Sequence, residues 1–187
     1  MYPMGMGEWD KKVFKLPKNH GWKARPENKI FVADRGAVRF DYPASWVVIP
    51  GEDSIRFHDR QPPDDNCRLQ VSYMRLPTEV DWSKLSLAEL LEQAVQADER
   101  TILSKGEVVR IERPDLELVW TELAFEDTNE HREARSRICL GRGSNIQPLI
   151  TMEFWPEDAG RFGPVWDELL RSLQLGNYVA NPFGRTM

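Results

Sequence analysis

The chain has 187 residues, a net charge of -5 and a pI near 5.3, with 41% hydrophobic and 29% charged residues. That length supports a single domain with a full core, without help from disulfides or metals. No Lys/Arg run exceeds two residues, so nucleic acid, whose affinity rests on phosphate neutralisation, is a poor fit. Nor does any segment approach the ~20 apolar residues of a membrane-spanning helix.

Residues 1–28 carry Pro3, Pro17 and Pro26, with Trp9, Val13, Phe14, Leu16 and Trp22 scattered among charges. A disordered tail is normally poorer in aromatics, so an irregular segment packed on the domain is expected. This N-terminal stretch has no apolar run of the secretory kind, which points to a cytoplasmic location. The domain itself is expected over 29–176, with 177–187 as a C-terminal tail.

Two short strands, 29–33 and 37–42, flank Asp34-Arg35-Gly36, where Gly36 supplies the positive φ of a hairpin loop. Val38, Phe40 and Tyr42 alternate with Arg39 and Asp41, the pattern of a strand with one buried face. Residues 45–49 and 54–58 form a second hairpin around Pro-Gly-Glu-Asp, and 68–76 place Leu69, Val71 and Tyr73 opposite Arg68, Gln70 and Ser72. A helix begins at Ser86, which with Glu89 forms a capping box, and runs to about Glu99 on a stripe of Leu87, Leu90, Leu91, Ala94 and Val95.

From Gly106 to Trp155 four strand-like runs follow one another across short polar connections, which predicts an antiparallel meander. The last helix lies within 158–173. Pro164 suits a first turn, so a short turn over 157–162 and a main helix from Gly163 or Pro164 are expected. The fold class is α+β, an antiparallel β-sheet flanked by helices.

Groups that could carry chemistry are thinly spread. His58, Asp59, Asp64 and Asp65 surround a Pro-Pro turn and could gather on a divalent ion, although acidic residues in turns serve solubility and Asx turns equally well. Gly141-Arg-Gly-Ser-Asn lacks the third glycine and the following helix of a dinucleotide loop, and reads as a hairpin turn. His20, His58 and His131 sit in loops or at strand ends, no Gly-x-Ser-x-Gly is present, and neither Cys67 nor Cys139 has a neighbouring His. The cysteines lack zinc spacing and suit buried thiols in a reducing compartment. Of seven tryptophans, Trp46, Trp120 and Trp166 are expected in the core. Trp9, Trp22, Trp82 and Trp155 are expected to cover the domain edge rather than anchor a partner. Catalytic, cofactor-binding and metal-binding residues are therefore all assigned as none. A possible partner surface is a charged strand face carrying Arg68, Glu122, Glu133, Arg135 and Arg137.

Three stretches resemble the PsbP-like family, which includes the Ran-binding Mog proteins: AVRFDYPASWVV at 37–48, the long strand ladder, and VWDELLRSLQL at 165–175. The resemblance spans roughly 30–175 and rests on core and turn residues, so it speaks to fold more than activity. It implies an α/β/α sandwich and a binding or assembly role: PsbP is an extrinsic photosystem subunit, Mog proteins bind Ran, and other relatives are lipoproteins or type VI secretion effector chaperones. None of the family's ligands matches residue by residue. The expectation is a non-catalytic, cytoplasmic binding or assembly module with a protein partner, no cofactor, no nucleic acid and no membrane span. The alternatives are a small-molecule or divalent-ion binding protein, or weak hydrolase, with a pocket between sheet and helix, and a secretion-effector chaperone.

Overall fold

The computed structural model describes residues 21–179. The expectations for Trp9, His20 and most of the N-terminal segment, and for 180–187, fall outside these residues. In chain order the strands are β1 (Asn28–Ala33), β2 (Val38–Pro43), β3 (Val47–Pro50), β4 (Ile55–His58), β5 (Cys67–Arg75), β6 (Ile102–Lys105), β7 (Val109–Arg113), β8 (Leu116–Asp127), β9 (Arg132–Arg142), β10 (Ile146–Phe154) and β11 (Gln174–Leu175). Helix α1 spans Leu87–Gln96 and α2 spans Ala159–Ser172.

An eight-stranded sheet runs in the order β3-β4-β5-β10-β9-β8-β6, with β7 also paired to β8, and a smaller sheet runs β1-β2-β11. Every pairing is antiparallel. The expected meander is present from β7 to β10. Its turns are built as their residues require: Arg113 pairs with Leu116 across Pro114-Asp115, and Gly143 bridges Ile146 across Ser144 and Asn145, both at positive φ. Two successive positive φ values are the signature of a type I′ hairpin turn, so this glycine-rich loop is a turn and not a phosphate cradle.

The sequence reading passed over β6. It lies along the same free edge of β8 as β7, and Gly106 between them donates its N–H to Glu122 O at 2.8 Å. An edge strand broken in the middle offers no continuous row of unpaired donors, one way a sheet edge avoids further pairing.

Both helices depart from expectation at one end. Ser86 caps α1 by accepting from Glu89 N, as foreseen, but the helix stops at Gln96 instead of near Glu99. At α2 the helix already starts at Ala159, so Pro164 lies inside it. A proline there gives up the hydrogen bond to residue 160 and crowds its carbonyl. Glycine at 160 and 163, with open space where a Cβ would stand, gives the backbone room to adjust.

The main core lies between the inner face of the large sheet and the cover formed by α2 and the small sheet. Phe40 and Phe31 pack on Phe57 at 5.3 and 5.1 Å, Phe162 on Trp46 and Phe154, and Trp166 on Trp120 at 5.6 Å. A second, smaller core forms on the outer face, where Leu87 and Leu91 of α1 meet Val119, Leu123, Ile138 and Leu140. Around Leu118 and Cys139 the strands β8 and β9 are thus apolar on both sides. Trp46 and Trp166 are buried as expected, and Trp120 is half-buried beside Trp166.

Gly36 packs against the residues that follow β11, Asn177 and Tyr178. Its φ is +124°, and a Cβ there would stand 2.2 Å from Asn177 O. Gly36→Ala is expected to lower the unfolding free energy by about 2 kcal/mol, because left-handed backbone and a clash add. Urea unfolding with an unchanged slope checks it.

Candidate functional site

The five residues nominated as one charged face do not share a face. Across β10 the register places Arg137 beside Met152 and Leu69, whereas Arg68 pairs with Glu153 and Ser136. Glu122, Glu133, Arg135 and Arg137 therefore lie on the inner side, and Arg68 on the outer. Because side chains alternate with period two, an odd offset between strands moves a residue to the opposite surface.

The inner four form a closed network. Arg137 Nε donates to Glu122 at 2.8 Å, Arg135 contacts Glu122 at 3.5 Å and Glu133 at 2.7 Å. Arg137, 13% exposed, also lies 5.5 Å from the Trp120 ring, 5.3 Å from Phe154 and 6.0 Å from Trp166. A guanidinium spends its donors on a carboxylate and its flat faces on aromatics, so this arginine plugs the end of the core.

On the outer side Arg68 reaches Glu153 at 2.5 Å, which also receives Arg100 at 2.7 Å. Helix α1 packs on β8 and β9. Beyond it, the outer face of β3, β4, β5 and β10 presents Ile49, Arg56, Gln70, Ser72, Met74, Gln147, Leu149 and Thr151, half-buried or exposed. Met74 and Leu149 stand 58% and 37% exposed there.

The residues of the Pro-Pro turn tie down their own loop. His58 Nδ1 meets Asp65 at 2.8 Å, and Asp59 accepts from the N–H groups of Asn66 and Cys67 at 2.7 and 2.9 Å, with Arg161 3.2 Å from its other oxygen. Asp64 is exposed, and its backbone N–H donates to Gln61 O at 3.1 Å. Among the described residues no three His, Cys, Asp or Glu side chains converge as metal ligands. Cys67 and Cys139 are buried, free thiols on β5 and β9, strands separated by β10. Burial pushes both thiols well above their ordinary pKa, so neither is primed as a nucleophile. His131 sits in the β8–β9 turn at positive φ. At the domain edge, Trp82 donates its indole N–H to Pro77 O at 2.8 Å, and Trp155 lies 3.6 Å beneath Arg132.

Sequence reasoning missed the densest group of charges. Arg39 and Asp41, expected on the open side of β2, are 4% and 1% exposed. The C-terminal end of α2 covers them. Arg39 Nη1 donates to Ser172 O at 2.9 Å, Ser172 Oγ accepts from Asp41 N at 2.8 Å, and the two charges meet at 2.6 Å. Arg113 reaches the same helix end, donating to the carbonyls of Leu170, Arg171 and Leu173 while Asp115 holds its other side at 3.0 Å. Cations there meet the negative end of the helix dipole and the carbonyls the last turn leaves unpaired. Trp22 lies over Arg39, and Arg171 binds Glu168 through two nitrogens. No local signal marked this group, since its cover arrives from a helix more than a hundred residues downstream.

Comparison with known proteins agrees with the fold. A family model described as Alr1449 matches residues 29–179. An uncharacterised protein, alr1449, of Nostoc sp. is 47% identical over 176 residues, 94% of this chain and 91% of its own length. Among solved structures, cyanobacterial PsbP (CyanoP) from Synechocystis sp. aligns with a TM-score of 0.55 at 11% identity, covering 83% of this chain and 96% of its own. A Bacteroides thetaiotaomicron protein reaches 0.55 at 14% identity over 80% of this chain and 48% of its own. LpqN of Mycobacterium tuberculosis, involved in cell envelope biogenesis, reaches 0.50 at 9% over 79% and 89%. Likeness at such identities speaks to architecture alone, and that architecture is PsbP-like.

Proposed function

We propose that this chain, which belongs to the Alr1449 family, is a non-catalytic binding module that engages a protein partner through the open half of its sheet's outer face. The observation that carries the reading is the partial cover of that face: α1 packs on β8 and β9, while Met74 and Leu149 stand exposed among Gln70, Ser72, Gln147 and Thr151, with Arg68 at the rim. A plane of apolar and polar side chains, with Arg56 between Ile49 and Gln70 and Arg68 at the rim, has the composition of a non-obligate interface. Strands β3 and β4 have four residues each and β5 and β10 nine each; about 4.8 Å apart, they give roughly 400 Å² of flat area, about half of what each partner gives to a standard interface, so the contact is a transient one. The Glu122–Arg135–Arg137 network is already satisfied internally and contributes rigidity to the sheet. Two free buried thiols suit a reducing compartment such as the cytoplasm. No described helix is long and apolar enough to cross a membrane.

The test is affinity capture by the tagged full chain from its own cytosol, comparing wild type with Met74→Asp/Leu149→Asp and with Arg135→Glu/Arg137→Glu. Circular dichroism confirms that each is folded. A partner recovered by wild type and depleted about tenfold by the outer-face pair alone is expected, since buried charge at an interface centre costs more than 1.4 kcal/mol. Recovery that is the same for all three proteins overturns the reading.

A further inference from the structure

The charges gathered at the end of α2 line a cavity open to solvent on one side. It has a volume of about 250 Å³, and its lining includes Trp22, Lys23, Arg39, Asp41, Arg113 and Arg171. A cavity of roughly 150 Å³ already takes a benzene-sized molecule, so this one has room for a small ligand. Its lining holds four cationic side chains, Lys23, Arg39, Arg113 and Arg171, against two anionic ones, Asp41 and Asp115; counting Glu168, which holds Arg171 from behind, the excess is one positive charge (4 − 3) in a protein whose net charge is -5.

The helix's own terminus does not account for this excess. Arg113 alone reaches the carbonyls of Leu170, Arg171 and Leu173, and Arg39 takes that of Ser172. After those bonds Arg39 Nε, buried in a residue only 4% exposed, still lacks an acceptor, and Asp41 Oδ2, in a residue 1% exposed, lacks a donor. Buried polar atoms are nearly always satisfied, so an unpaired donor and acceptor lining one cavity mark a place built for something else to bind. Trp22 closes one side with an aromatic face, and Lys23 and the 60%-exposed Arg171 stand at the mouth.

We propose that this cavity binds a small multivalent oxyanion, a molecule bearing phosphate or several carboxylates, with Lys23, Arg113 and Arg171 meeting its charge and Arg39 and Asp41 at the base. Low-dielectric walls around an excess of positive charge focus the field on such a ligand and discriminate against cations. The site is separate from the outer sheet face, so its failure and that of the protein-contact reading are distinguishable.

Titration of the full chain with inorganic phosphate, and separately with citrate, at constant ionic strength tests it. Amide resonances of residues 21–23 and 172–174 report the cavity, and those of β8–β10 report the fold. Saturating shifts confined to the cavity are expected in at least one series. They should weaken about tenfold or more in Lys23→Glu/Arg171→Glu, whose side chains are exposed and whose exchange reverses four units of charge at the mouth. Saturation by phosphate alone assigns a phosphate-bearing ligand, and by citrate alone a polycarboxylate. Shifts that never saturate in either series, or binding unchanged in the double variant, overturn the proposal.

Discussion

Trp166→Ala is expected to lower the unfolding free energy by roughly 3–5 kcal/mol, the range for emptying a buried tryptophan site. Trp166 is 0% exposed and fixes α2 to the sheet through its edge-to-face contact with Trp120, 5.6 Å away, beside Arg137. Its neighbours cannot collapse into the gap, because Trp120 stands on β8 and Arg137 is held by Glu122 on β9 and β8 together. For a domain of this size the melting point should fall by about 8–15 °C. Trp166→Phe should cost far less, under about 1.5 kcal/mol. The indole N–H of Trp166 is buried without an acceptor, so phenylalanine removes an unsatisfied donor while it gives up area. Differential scanning calorimetry of the two variants decides the point. A loss below about 1.5 kcal/mol for alanine would mean that α2 is held mainly by other contacts.

What the sequence made legible follows the range of the interactions involved. The meander from β7 to β10 was readable because each turn carries its own chemistry: Pro114-Asp115, the Asp127 loop, and the Gly143–Asn145 hairpin. Ser86 and Glu89 announced α1 because a capping box is complete within four residues. β6 was not readable, because Ile102–Lys105 is four residues long and gains its place only from the far half of β8. The charged face failed for the same physical reason. Arg68 and Glu153 meet across 85 residues of chain, and nothing local sets the β5–β10 register that sends Arg68 outward while Arg137 turns inward. Arg39 and Asp41 were the largest loss. Charged residues alternating with Val38, Phe40 and Tyr42 normally face water, and only the last turn of α2 reverses that. The resemblance to PsbP proteins located the fold through core words at 37–48 and 165–175; those words also contain Arg39, Asp41 and Arg171, but only the folded chain brings the three together.

The buried Arg39–Asp41 pair gives the second large effect, and its sign depends on which partner remains. Desolvation dominates both groups: it raises the Asp41 carboxyl above its usual range and lowers the Arg39 guanidinium, each partly offset by the other's charge. The ionised pair is therefore costly to bury, and breaking it is costlier still. Arg39→Met alone leaves a carboxylate 1% exposed without its ion-pair partner, and is expected to cost about 3–5 kcal/mol at pH 7. Arg39→Met/Asp41→Leu, which removes both charges and keeps the volume, should come within about 2 kcal/mol of wild type, the residual being mainly the lost bond to Ser172 O. A carboxyl whose folded pKa is raised binds its proton more tightly in the folded state. Its contribution to stability is thus fully present below about pH 3.9, where even the unfolded carboxyl is protonated, and is lost as pH rises through the folded value. Arg39→Met should therefore regain stability relative to the double variant as pH falls from 7 toward 4, the reverse of an ordinary salt-bridged aspartate. Urea unfolding of the two variants across that range, taken as a difference so that all other carboxylates cancel, measures it directly. A gap between them that stays constant with pH would show that Asp41 is already neutral at pH 7 once Arg39 is gone, and a gap that widens on acidification would show that its carboxylate is stabilised by the fold.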